Sequence, residues 1–284
     1  MTAPMPAPAR TLAPVLFVSH GAPTFALEPG ALGARLRELG AGLASLRAVL
    51  VVSPHWQTRG LEVTTTERPD TIHDFGGFPP ELYRLAYPAP GAPQAALDAA
   101  ARLREAGWQV AEDDRRGLDH GAWVPLMHLL PAAQVPVFQL SMPRSLDAAR
   151  ALDLGRALAP LRAKGIAILA SGSMTHNLHE FRGGAARPEA YVARFTEWVR
   201  DAVQRHDFRS LADYRRVAPE AVRAHPTDEH FLPLLVAVGT CGDEERPELL
   251  DDEIRYGMLS MESYAWGTAN GETPRPAPQR PAGT

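Results

Sequence analysis

Four short runs of apolar, largely β-branched residues stand out along the chain, at 14–18, 48–52, 135–140 and 166–170, each bounded by turn-forming residues. Runs of this length with such flanks predict buried strands. Between them the apolar positions shift to a helical repeat. Pro29 suits a first helical position, with Leu32, Leu36 and Leu39 behind it. Residues 93–106 are rich in Ala and Leu and stop before Gly107; residues 146–163 carry Leu146, Leu154, Leu158 and Leu161 and stop before Gly165; residues 188–206 place Val192, Phe195 and Val199 on one stripe. Strands alternating with helices predict a single α/β domain, with a mixed or mostly parallel central sheet flanked by helices. Ligands in such sheets bind beyond the carboxyl ends of the strands. The domain is expected to span 12–268. Pro4, Pro6 and Pro8 mark 1–11 as a disordered N-terminal tail, and Pro274, Pro276, Pro278 and Pro281 mark 269–284 as a Pro-rich C-terminal tail.

Composition narrows the classes of function. Of 284 residues, 45% are hydrophobic and 22% charged, ordinary values for a globular chain and not for a disordered or collagen-like one. Lys and Arg number 29 against 33 Asp and Glu, a net charge of -4, so the chain lacks the basic footprint that nucleic acids or anionic membranes attract. No apolar run reaches the ~20 residues of a membrane helix, and the first ten residues do not read as a secretory leader. A lone cysteine, Cys241, can form neither an internal disulfide nor a Cys-based zinc site, which suits a reducing cytoplasm.

The ten histidines matter through their positions. The run ending at Val18 leads into Ser19-His20-Gly21-Ala22-Pro23, the run ending at Val52 into Ser53-Pro54-His55-Trp56, and the run ending at Ala170 into Ser171-Gly172-Ser173-Met174-Thr175-His176-Asn177. Three apolar strands thus each lead into a small-residue turn and then a histidine. Parallel neighbours would bring these imidazoles to one edge of the sheet. His225-Pro226-Thr227-Asp228-Glu229-His230 precedes the apolar Phe231 to Leu235, the expected start of a buried helix beside the same edge. One strand-end histidine is usually structural, but three in the same place favour a metal site. Imidazole is the commonest metal ligand, and a His-rich set suits Zn, Fe, Cu or Ni better than Mg or Ca. No phosphate-binding loop, dinucleotide glycine fingerprint or complete nucleophile elbow is present; Met174 and Thr175 replace the closing glycine after Ser171-Gly172-Ser173.

These segments, with Asp74-Phe75-Gly76-Gly77-Phe78-Pro79 and Leu118-Asp119-His120-Gly121-Ala122-Trp123, resemble the class III extradiol ring-cleaving dioxygenases, and the 4,5-DOPA extradiol type among them. Six motifs occur in the family's order between Ser19 and about Leu235, and Tyr256-Gly257 through Trp266 resembles its closing segment. The resemblance implies a non-haem Fe(II) enzyme, in which Zn(II) can occupy the site after purification. It opens a catechol ring beside the diol with O2 to give a semialdehyde. His20 and His55 match the first two metal ligands, and His230 is preferred as the third, with Glu229 as the alternative. His176 matches the acid/base histidine, with an approach to the metal left open. His120 is a candidate partner of the bound oxygens or else a turn-stabilising residue. Phe75, Phe78 and Trp123 are candidate walls for the ring, and His225 a candidate substrate contact or supporting partner. His73, His128, His179 and His206 take structural or surface roles. A zinc hydrolase and a non-catalytic metal-binding protein are the rival readings. The native catechol and the oligomeric state stay open.

Overall fold

Alternation along the strands decides the layering. In β1 (Val15–Ser19), Val15 and Phe17 join one buried cluster while Leu16 and Val18 join another. Side chains two apart in a strand share a face, so both faces of this strand are covered. The computed structural model, which describes residues 12–181 and 187–268, shows what covers them. The tails at 1–11 and 269–284 lie outside the described residues.

After β1 the chain forms α1 (Gly30–Gly40), β2 (Ala48–Thr58), β3 (Leu61–Thr64), α2 (Pro93–Glu105), β4 (Val110–Asp113), α3 (His120–Leu129), β5 (Val137–Pro143), α4 (Ala148–Leu158) and β6 (Ile166–Gly172). It continues through α5 (Ala190–Gln204), α6 (Phe208–Ala212), α7 (Tyr214–Val217), α8 (Ala221–Ala224), α9 (Leu232–Thr240), β7 (Glu248–Asp251), β8 (Ile254–Arg255), β9 (Leu259–Ser260) and β10 (Ser263–Trp266). Eight strands form one sheet in the order β4-β3-β5-β2-β6-β1-β10-β7. The central four, β5, β2, β6 and β1, are parallel, whereas β3 pairs β5, β10 pairs β1 and β7 pairs β10 in antiparallel fashion. The sheet is mixed and mostly parallel, as the apolar runs imply. Helices α2, α4 and α9 cover one face, and α1 and α3 the other. Each fully buried Leu, Val or Phe of these layers contributes about 1.5–3 kcal/mol of hydrophobic stabilisation before chain entropy is subtracted.

Two local departures from the sequence reading have physical causes. The helix expected over 146–163 ends at Leu158 and tightens into a 3-10 turn, Ala159–Lys164, because Pro160 has no N–H to continue the repeat. Asp147 caps its start by accepting from the Arg150 amide at 2.8 Å. The second apolar run does not stop at a turn after Val52: β2 extends to Thr58, with pairing to β5 interrupted between Val52 and Gln57. Pro54 lies inside that interruption and cannot donate to a neighbouring strand, so the segment bulges and re-aims His55.

Candidate metal centre

β1, β6 and β2 are adjacent and parallel, so their carboxyl ends meet at one rim. His20 follows β1 directly, His55 sits on the bulge of β2, and His176 lies four residues beyond β6. His230 comes in two residues ahead of α9. Its carbonyl accepts from the Ser173 amide at 2.9 Å, which ties the His230 loop to the end of β6. Gly172 permits this approach, since a Cβ there would lie 2.5 Å from the His230 carbonyl oxygen.

The rings converge. His20 and His55 face each other through Nε2 at 3.1 Å, and the His230 ring lies 5.6 Å from that of His20 and 5.1 Å from that of His55. One ligand atom from each of the three falls within 4.8 Å of the others. His176 stacks on His230 at 3.5 Å with 10° between the planes, and His120 packs 3.9 Å from His55. Solvent reaches the group past His55, Asp74 and Glu229, whose side chains are between 21% and 25% exposed.

Each ring is held from behind. His20 Nδ1 meets the buried Ser171 hydroxyl at 2.9 Å, and His230 Nδ1–H donates to Glu229 at 3.0 Å. Asp74 accepts from both the backbone amide and Nδ1–H of His120 at 2.9 Å, and its other oxygen lies 3.8 Å from His55 Nδ1. Asp119 is fully buried, accepting from the Ser53 hydroxyl at 2.7 Å and from Gln139 at 2.9 Å beneath the bulge.

Burial, and then repulsion from neighbouring rings, pushes His20 and His230 well below the usual histidine range. Burial also takes His55 to about 4. His176 is lowered by burial, with Glu229 pulling the other way. Burial alone would raise Asp74, but the hydrogen bonds from the His120 ring and amide win and hold it at about 2. At neutral pH His20, His55 and His230 are therefore neutral and their lone pairs are free.

That donor set fits a borderline divalent metal ion. His230 Nε2 is buried without a hydrogen-bond partner among the described residues, an expensive omission unless something else takes its lone pair. Imidazole nitrogens of His20, His55 and His230 surrounding one point are what Fe, Zn or their neighbours bind.

The other candidates separate. Phe75 is half-buried and meets His120 edge-on at 5.6 Å, with Phe78 5.6 Å beyond it. Trp123, expected as a wall, is 1% exposed; its Nε1–H donates to the Ile72 carbonyl at 2.9 Å, so it backs the Phe75 loop instead of facing an opening. His225, expected as a substrate contact or a supporting partner, is fully buried among Phe195 and Phe231, with Nε2–H donating to the Met174 carbonyl at 2.9 Å. That is the place of a support for the segment carrying His176. Asp74, Ser171 and Asp119 had no role in the sequence reading; the one available signal was that a charged residue opens the Phe-Gly-Gly-Phe motif.

Residues 31–267 match the family description "Catalytic LigB subunit of aromatic ring-opening dioxygenase". The chain belongs to the LigB family. Relatives agree over nearly the whole length. The 4,5-DOPA dioxygenase extradiol of Beta vulgaris is 38% identical over 87% of this chain and 94% of its own. The protein of the same name from Escherichia coli K12 is 39% identical over 90% and 96%. The crystal structure of the uncharacterized protein JW3007 from Escherichia coli K12 superposes with a TM-score of 0.72 at 31% identity, covering 89% of this chain and 99% of that one. This LigB protein is thus an enzyme, a metal-dependent, non-haem extradiol ring-cleaving dioxygenase acting on a small aromatic substrate with O2. Among the described residues no helix is long and apolar enough to cross a membrane.

Proposed function

We propose that the enzyme uses Fe(II), held by His20, His55 and His230, to cleave a DOPA-like catechol next to its diol, giving a semialdehyde. The observation that carries this reading is the convergence of those three rings with His230 Nε2 left unpartnered. Glu229, the other candidate third ligand, already accepts from His230 Nδ1, which supports a role in orienting the ring. Zn(II) fits the same donors and can take the place of iron in isolated protein. The cytoplasm, where thiols stay reduced, suits Fe(II) and the unpaired Cys241.

A bound Fe(II) supplies Lewis acidity toward a diol and a path for electrons to O2. The chain's own groups do the rest. Glu229 accepts a hydrogen bond from His230 Nδ1–H, leaving Nε2 for the ion, and the Ser171 hydroxyl accepts from His20 Nδ1–H in the same way. His120, with its Nδ1–H on Asp74, presents a bare Nε2 that accepts a hydrogen bond from a catechol hydroxyl. His176, lowered by burial, is neutral at working pH and takes the second hydroxyl proton on an imidazole nitrogen. The imidazolium so formed would hold that proton for return to the oxygenated substrate. Stacking on His230 keeps the ring in one orientation throughout. Phe75 lies against one face of the substrate ring, and Trp123 fixes Phe75.

The test is anaerobic reconstitution with Fe(II), then addition of O2 and DOPA or another catechol. A yellow semialdehyde and matching O2 uptake are expected. His20→Ala and His55→Ala should each lose bound metal, whereas His176→Ala should keep metal and lose turnover. Absence of colour and O2 uptake across a catechol panel would refute the reading.

A further inference from the structure

Asp74 stands where two rings of the centre can be controlled by one side chain. Its Oδ1 accepts two bonds from His120, at the backbone amide and at Nδ1, both at 2.9 Å. Its Oδ2 faces His55 Nδ1 at 3.8 Å, and one ligand atom from each of Asp74, His55 and His120 lies within 4.8 Å of the others. The His55 and His120 rings pack against each other, 3.9 Å between centroids, so neither can turn without moving its neighbour.

An ionised carboxylate has acceptors only. The His120 Nδ1 that bonds it must therefore carry hydrogen, which leaves His120 Nε2 bare, and the same negative charge 3.8 Å from His55 Nδ1 favours hydrogen there, with Nε2 turned toward His20. We propose that Asp74 is a positioning residue that sets the tautomers of His55 and His120 together, aiming the lone pair of His55 at the metal and that of His120 at a substrate hydroxyl. No amide can replace it. Asn offers one acceptor and one donor, so whichever ring meets the NH2 group is forced into the wrong tautomer or turned away. An outer partner of this kind commonly governs about 10–100-fold in metal affinity or activity. The consequence for turnover rests on the dioxygenase reading above; the consequence for tautomers and metal affinity does not.

The experiment uses the full chain loaded with Zn(II), which is diamagnetic, and carrying 15N-histidine. Long-range proton–nitrogen correlation reports which nitrogen of each ring holds the proton, with His55→Gln and His120→Gln identifying the two spin systems. Wild type should show His120 protonated at Nδ1 and bare at Nε2. In Asp74→Asn, either His120 moves its proton to Nε2, with kcat of the Fe(II) enzyme down tenfold or more at little-changed KM, or His55 yields and the Zn(II) dissociation constant rises tenfold or more. A wild-type His120 protonated at Nε2 would overturn the inference, and so would Asp74→Asn with unchanged tautomers and a Zn(II) affinity within twofold of wild type. A second zinc equivalent lost in Asp74→Asn would also overturn it, by making Asp74 a ligand. Wild-type tautomers as expected but no turnover of any catechol would count against the dioxygenase reading alone.

Discussion

Acid should unfold the metal-free enzyme along a slope to which one buried ring contributes a calculable share. His225 is fully buried, its Nε2–H is committed to the Met174 carbonyl, and its Nδ1 has no partner among the described residues. A second proton would place a charge in an apolar pocket beside Phe195 and Phe231 with no acceptor for it. Burial therefore pushes the ring down to about 3. In the unfolded chain it titrates near 6.5. Between those values the unfolded state binds the proton and the folded state does not, so stability is full above about pH 6.5, falls as the pH drops below it, and has lost the whole contribution below about pH 3. Each unit costs about 1.36 kcal/mol, so His225 alone should remove roughly 2.7 kcal/mol between pH 7.5 and pH 4.5. His225→Gln keeps a donor for the Met174 carbonyl and cannot titrate. Urea denaturation of metal-free wild type and variant at the two pH values gives the difference between the two losses, which cancels any constant cost of the substitution. The variant should lose about 2.7 kcal/mol less than wild type over that interval. Equal losses, within about 0.7 kcal/mol, would show that the ring is protonated in the fold or lies open to water, and would refute the burial argument.

Two further perturbations test the packing around the centre. Gly121→Ala puts a methyl 2.4 Å from the Ser53 hydroxyl and 2.9 Å from His55 Cδ2, so it should displace His55 and weaken zinc binding about tenfold, read by titration against a chelator, although Ala ordinarily favours a helix. Glu245→Ala strands Arg162, which is 2% exposed and otherwise bonded to the Ala13 and Thr240 carbonyls, and should cost about 3 kcal/mol in urea denaturation without changing metal affinity.

The central strands were legible because they are buried on both faces: 48–52 and 166–170 read as unbroken apolar runs. The outer strands were not. β3 and β4 are four residues each: β3 alternates Leu61 and Val63 with Glu62 and Thr64 but is too short to stand out, and in β4 Ala111 and Glu112 lie exposed. α3 was hidden by Pro125 in its interior. The Gly121 carbonyl loses the donor that Pro125 lacks, yet the helix persists because nearly every side chain on it is buried against the sheet and α1. In the centre, the strand-end histidines announced themselves, since the parallel order of β2, β6 and β1 turns three distant segments into one rim. The carboxylates behind them did not. Asp74 and Asp119 act through contacts 46 and 66 residues away in sequence, to His120 and Ser53, and no local spacing encodes such pairings. The two roles left open for His225, substrate contact or supporting partner, were separated only by what packs over it, Phe195 and Phe231.

The carboxylates explain how an all-imidazole set can host a dication at a rim only partly open to water. Three neutral rings neutralise none of the ion's charge, whereas a ligand set with one carboxylate would remove a unit of it directly. In the proposed centre the compensation stands one ring further out. Asp74 serves His120 and faces His55, Glu229 serves His230, and Asp119 lies beneath the bulge that carries His55. Asp74 and Glu229 act through the rings they bond, which would strengthen the nitrogens that face the ion while leaving no carboxylate oxygen on the metal. An ion held by these three rings would lend a bound diol more of its positive charge than one held by a carboxylate. On the proposed reading, carboxylates placed behind the imidazoles would favour a deprotonated diol, and His176, stacked on His230, would be the base that receives its proton.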